Sequence, residues 1–204
     1  MNARDHWEKI YTDKAPNAVS WYRPHLEKSL ELIEQWAPGK SASIIDVGGG
    51  ESTLADDLVA RGYENVTVLD ISQAAIDVSR KRLGAASQRV FWLAADITSV
   101  ELGIAAYDVW HDRAVFHFLI AASDREAYVR QLLRSVRRGG HVIVSTFAPE
   151  GPMKCSGLDV MRYDADSLRM EFGERFRFIE SFTELHDTPF GTVQQFLYCH
   201  GQLV

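Results

Sequence analysis

Cysteine is scarce: Cys155 and Cys199 are the only two in 204 residues. Two thiols cannot supply the disulfide framework of a stapled secreted fold, so stability has to come from a packed core. Long hydrophobic runs are also missing, and no window approaches the apolar length needed to span a bilayer. The opening Met1-Asn2-Ala3-Arg4-Asp5-His6 lacks the apolar core of a signal peptide. The expectation is a cytoplasmic, reduced protein with no membrane partner. Basic residues are outnumbered, 22 Lys and Arg against 28 Asp and Glu, for a net charge of −6. That balance argues against general capture of nucleic acid, which depends on many cationic contacts to phosphates. The tight basic clusters, Arg80-Lys81-Arg82 and Arg137-Arg138, fall at predicted helix ends, where positive charge suits the helix dipole. There is no internal repeat and no low-complexity tract. His141, His186, His200, Cys155 and Cys199 lack close ligand spacing, so no metal is expected.

What the chain has is a folding composition, 46% hydrophobic and 25% charged, at a length suited to one domain over 1–204. Apolar runs alternate with helical stripes. Ser43–Val47, Asn65–Asp70, Val90–Leu93, Tyr107–Trp110 and His141–Thr146 are nearly continuous, as parallel strands buried on both faces should be. Between them Leu54 and Leu58 share a helix face that stops at Gly62. Ser72 caps a helix running to about Leu83, ended by Gly84. Ser123-Asp124-Arg125-Glu126 reads as a capping box for a helix closed by Gly139-Gly140. Phe176–Leu185 and Val193–Cys199 are joined by a connection too short for a crossover, so that pair should be antiparallel. The fold class is therefore α/β: a doubly wound, Rossmann-like, seven-stranded sheet, mostly parallel, with a C-terminal antiparallel hairpin.

Two segments lie outside this core. Residues 1–40 hold a short helix with Trp7, Ile10 and Tyr11 on one side, and a second helix from near Pro24 to Pro38-Gly39. They read as a helical lid, or as a hydrophobic brace, on a cofactor-binding core of 41–204. Ala148–Tyr163 is a long loop with Pro149, Gly151, Pro152 and Gly157, and such loops are often functional.

The chemistry-bearing residues sit at strand ends. Asp46-Val47-Gly48-Gly49-Gly50-Glu51-Ser52 turns from the first strand into a helix. Glycines there allow a sharp turn and close approach of a ligand, and the following amides can meet a negative group. That group would be pyrophosphate in a dehydrogenase, or the methionine carboxylate of S-adenosylmethionine in a methyltransferase. Asp70 ends the second strand 20 positions after Gly50 and can accept ribose hydroxyls, with Ile71 against adenine. Asp96 ends the third strand and can accept the adenine amino group, with the Ile97 amide on a ring nitrogen.

Taken together, these residues resemble a known family. His6–Tyr11, Ser20-Trp21-Tyr22, Asp46–Ser52, Thr67–Ser72 and Asp108–Arg113 are similar to the small class I methyltransferases of the bacterial type-12 group. Those are related to lysine methyltransferases acting on elongation factors and citrate synthase. Ser52 departs from the pattern, because many relatives place a third glycine there. The run Trp110-His111-Asp112-Arg113-Ala114 is also similar to thiopurine methyltransferases. The resemblance implies S-adenosylmethionine as cofactor and five parallel strands finished by an antiparallel hairpin. It implies a lid that brings Tyr11 and Trp21 over the ligand. His111 and Asp112, ending the fourth strand, then face the reacting methyl, with His111 either taking a proton or only touching the cofactor. His117 is expected to be structural. The acceptor is expected to be a protein lysine or a small-molecule nucleophile, a thiol being the alternative, and not nucleic acid. A nicotinamide oxidoreductase and a non-catalytic binding protein are the competing classes. A monomer or weak homodimer is expected.

Overall fold

The computed structural model describes residues 2–204; residue 1, at the head of the lid segment, lies outside them. Helix α1 (Ala3–Asp13) is capped by Asn2, whose side chain accepts the Asp5 amide at 2.8 Å. A 3-10 turn over Pro16–Ala18 leads through extended chain to α2 (Glu27–Trp36). Pro24 thus precedes the helix by a few residues. The core then alternates β1 (Ser43–Val47), α3 (Leu54–Ala60), β2 (Asn65–Asp70), α4 (Gln73–Leu83), β3 (Val90–Ala94), β4 (Tyr107–Arg113), α5 (Ala122–Ser135) and β5 (Val136–Phe147). A small hairpin follows, β6 (Lys154–Cys155) with β7 (Leu158–Asp159), inside the segment read as a loop. Helix α6 (Ala165–Phe172) and the long strands β8 (Phe176–Asp187) and β9 (Val193–Leu203) complete the chain.

The sheet order is β3-β2-β1-β4-β5-β9-β8. The first five strands are parallel, and β9 runs antiparallel to both β5 and β8. This is the Rossmann-like α/β sheet with its antiparallel C-terminal pair. The order in which strands are added reverses between β1 and β4, and in open α/β sheets ligands bind at the carboxyl ends of strands beside such a switch point. Each sheet face has its own core. One packs Trp110, Phe116, Tyr128, Leu132 and Phe172 under α5 and α6. The other packs Ile33, Leu54, Leu58, Tyr63 and Phe196 under α2 and α3.

Local expectations fare unevenly. Ser72 does cap α4, accepting the Ala75 amide at 3.2 Å, and Gly84 stops it at φ +58°. The capping box at Ser123–Glu126 does not form. The chain enters α5 from a tight 3-10 turn at Phe116–Phe118, so helix begins at Ala122 and Ser123 is already inside it. Gly139-Gly140 does not close that helix either, because extended structure starts at Val136. Arg137 consequently pairs with Asp108 beside the sheet rather than with a helix end.

Candidate cofactor and acceptor site

The turn after β1 is built on glycine for steric reasons. Gly48 has φ +68°, and a Cβ there would lie 1.9 Å from Val115 Cγ2. Its amide donates to Leu69 O at 2.6 Å, tying the turn to the end of β2. Gly50 has φ +41°, and a Cβ there would meet Asp70 Oδ2 at 2.9 Å and the Tyr11 hydroxyl at 3.1 Å. Ser52 accepts the Leu54 amide at 3.1 Å, a bond at the head of α3 that a third glycine would lack.

Around this turn the strand ends converge on a cavity of about 230 Å³. Gly48, Asp70, Ile71, Asp96 and Ile97 line one part of it. Asp70 is buried and accepts the Ser72 amide at 2.8 Å; burial raises its pKa to about 7, against the opposing pull of that amide. Asp96 is braced by Thr98, whose amide and hydroxyl both donate to Oδ1, at 2.9 and 2.7 Å. Tyr11 and Trp21 line the cavity from the N-terminal segment, with Trp7 and Phe118 beside them. Trp7 stands edge-on to Trp21 and Phe118 at centroid distances of 5.7 and 4.9 Å. The segment is fastened far from its own sequence. Glu8 accepts the Ser72 hydroxyl at 2.7 Å and the Ala74 amide at 3.1 Å, so α1 sits on the head of α4. His186 Nε2 donates to Ser20 O at 2.7 Å, while Arg23 Nε donates to His186 Nδ1 at 3.0 Å.

A smaller cavity of about 50 Å³ adjoins on the glycine-turn side, lined by Asp46, Gly49, Glu51, Ser52 and His111. Tyr11, Trp21, Gly48 and Arg113 face both cavities. Gly50, counted among the expected cofactor residues, contributes its approach to Asp70 and Tyr11 and lines neither.

His111 and Asp112 are both buried and hydrogen-bonded. His111 is fully buried, with Nδ1 donating to Asp46 Oδ1 at 2.7 Å and Nε2 2.8 Å from Ser29 Oγ. Both ring nitrogens are occupied, so the imidazole positions Asp46. Asp112 points to the opposite sheet face. It accepts the Val115 and Phe116 amides at 2.8 and 3.0 Å and the Tyr128 hydroxyl at 2.7 Å, clamping the turn after β4. His117 is structural in its contacts: Nδ1 accepts the Phe147 amide at 3.1 Å, and burial pushes its pKa down to about 3. Among the described residues no group of three or more His, Cys, Asp or Glu is placed to hold a metal ion.

Arg113, Glu51 and Cys155 line these cavities without having been expected there, and Trp7 was expected in the lid. Period-2 alternation was the available signal for the first: Arg113 shares a strand side with His111, and Asp112 does not.

Residues 44–140 match the family model of a methyltransferase domain. The matched stretch, 44–140, is just under half of the chain and runs from β1 into β5. Among relatives of the domain, the mouse eEF1A lysine and N-terminal methyltransferase is 27% identical over 143 residues, 70% of this chain and 20% of that protein. The chain thus spans about a fifth of the length of that relative. An uncharacterised methyltransferase of Mycobacterium bovis is 32% identical over 116 residues, 57% of this chain and 56% of its own. Among solved structures, one described as converting a disulfide into a thioacetal in echinomycin biosynthesis superposes with a TM-score of 0.80 at 18% identity, covering 99% of this chain and 92% of its own. The Burkholderia thailandensis 1,6-didemethyltoxoflavin N1-methyltransferase, with bound 1,6-didemethyltoxoflavin and S-adenosylhomocysteine, gives 0.69 at 17% identity, covering 99% and 84%.

The Burkholderia enzyme is a neighbour with S-adenosylhomocysteine bound, and the glycine-turn residues of this chain leave acceptors free for a ligand of that kind. Asp46 Oδ2 and both Glu51 oxygens are buried without partners, and burial raises the Glu51 pKa to about 7. Orphan acceptors beside a glycine cradle suit a ligand bringing an ammonium and hydroxyl donors. Among the described residues no helix is long and apolar enough to cross a membrane.

Proposed function

We propose that this chain transfers the methyl group of S-adenosylmethionine to a small-molecule nucleophile, within a cavity that residues 1–40 close over a core of 41–204. The observation that supports this most is one continuous cavity with two unlike ends. Asp70 and Asp96 face one end; Arg113, Phe147, Cys155, Leu158 and Phe196 face the other. In this reading Asp70 holds the ribose, Asp96 and Ile97 the adenine, and Asp46 the ammonium of the cofactor. Tyr11 and Trp21 cover it and exclude water.

When bound, the cofactor supplies an electrophilic methyl on a sulfonium sulfur. The protein's part is orientation: holding the acceptor on the axis of displacement accounts for much of the rate without a covalent enzyme intermediate. Arg113, Phe147, Cys155, Leu158 and Phe196 include no carboxylate and no imidazole; the carboxylates lining the cavity are Asp70, Asp96 and Asp124, the last in the first turn of α5. Cys155 is no base either, because burial pushes its thiol up to about 11. The acceptor therefore arrives already nucleophilic, which favours a thiolate or similar soft atom over a protonated lysine. Lysine methylation is the second reading, favoured by the eEF1A methyltransferases among the relatives. Methyl-labelled cofactor offered with a protein lysate, total tRNA, genomic DNA and a panel of small thiols tests both. Incorporation into small molecules is expected; labelling of a protein alone selects the second reading, and labelling of nucleic acid alone overturns both.

A further inference from the structure

The Arg113 side chain is only 6% exposed, yet most of its donors are idle. Nη1 donates to Trp21 O at 3.2 Å, whereas Nε and Nη2 have no hydrogen-bond partner. The nearest carboxylate oxygen, Glu184 Oε2, stands 4.0 Å from Nη2, beyond hydrogen-bond reach, and is itself unpartnered. Glu184 Oε1 lies 3.6 Å from Arg23, a guanidinium already engaged with His186 and Leu185 O. Beneath Arg113 lies the Phe196 ring, 4.4 Å from the guanidinium carbon. A guanidinium cannot shed its proton, and one hydrogen bond, a long ion pair to Glu184 and a ring face leave buried donors that an incoming anion would satisfy. Arg113 lines both cavities where they meet, among Trp21, Phe147 and Phe196.

We propose that Arg113 is the anion-recognition residue of the acceptor pocket, and that the acceptor is a small aromatic molecule carrying a negative charge such as a carboxylate. This rests on the small-molecule reading above. The aromatic walls take a planar ring, and the planar fork of donors takes the charge. A lysine ammonium in the same place meets a like charge at close range. The positive field is felt by its neighbours: after burial, Arg113 is the next influence holding His186 at about 4 and His117 at about 3.

The test compares 2-naphthoate with 2-naphthamide, an isosteric pair differing by one charge, on protein saturated with S-adenosylhomocysteine. In the unaltered protein naphthoate binds tighter by roughly tenfold or more, the worth of a charge-assisted bidentate contact. Arg113→Met removes that preference, and Arg113→Lys keeps part of it. Equal binding of the two probes by the unaltered protein, which requires no variant to fold, overturns the proposal. So does a preference that survives Arg113→Met. A third arm measures S-adenosylhomocysteine against methylthioadenosine, which lacks the amino-acid tail. Should Arg113→Met weaken only the former, the guanidinium holds the cofactor carboxylate and the proposal fails. Failure of the unaltered protein to bind S-adenosylhomocysteine at all is a different result, and counts against the methyltransferase reading itself.

Discussion

The two ends of the cavity are made in different ways. At the ends of β2 and β3 the acids are held by residues two positions on: Ser72 holds Asp70 and Thr98 holds Asp96, while Asp46 in β1 is held by His111. Around Arg113 the wall is gathered from the whole chain: Trp21 from the N-terminal segment, Phe147 from β5, Cys155 from the β6–β7 hairpin and Phe196 from β9. Local construction makes a rigid cradle suited to one invariant ligand. Long-range construction makes a wall that can change with its acceptor while the cradle stays fixed.

Substitutions can break this contrast. The largest effect is expected for Gly48→Val, which forces a β-branched residue into φ +68° and against Val115. Strain and overpacking together should cost roughly 2–6 kcal/mol, seen as a shifted urea midpoint and lost S-adenosylhomocysteine binding. Asp70→Asn comes next. With the folded-state pKa raised to about 7, Asp70 favours the folded protein below about pH 4, and that contribution is lost as pH rises through 7. Urea unfolding at pH 5 and pH 8 should show the free protein losing on the order of a few kcal/mol across that range, and the Asn variant losing less. Its affinity for S-adenosylhomocysteine should meanwhile fall by roughly ten- to a hundredfold, as charge-assisted bonds to the ribose go.

Asp112→Asn sharpens the comparison from the other sheet face. It disturbs a clamp on two amides and Tyr128, so stability should fall by about 1–3 kcal/mol while cofactor affinity per folded molecule holds. A selective loss of turnover in a fully stable Asp112→Asn protein would restore a catalytic role. The smallest effect belongs to Ser52→Gly, about 0.5–1 kcal/mol in thermal unfolding, the loss of one side-chain bond to the Leu54 amide.

The same contrast explains what the sequence disclosed. Strand alternation, the glycine turn and the acids at successive strand ends are local patterns, and Asp70, Ile71, Asp96 and Ile97 do converge on one cavity. The hydrogen-bond partners of His111 and Asp112 were not legible. They lie on other elements: Ser29, 82 residues away, closes the second nitrogen of His111, and Tyr128 engages Asp112. Arg113 escaped for the same reason, because an unpartnered buried donor is visible only once its surroundings are known. The failed capping box at Ser123 is a milder case, in which tertiary entry geometry overrode a local motif.

Glu8 on the head of α4 carries a consequence for the order of assembly. Its partner amide, Ala74, lies 66 residues further along the chain. During synthesis at about 5–20 residues per second, α1 waits roughly 3–13 s before its docking point exists. His186, which holds Ser20, comes 166 residues after it and later still. Helix α1 therefore cannot dock before α4 is made, and the Ser20 tie that completes the roof waits for β8.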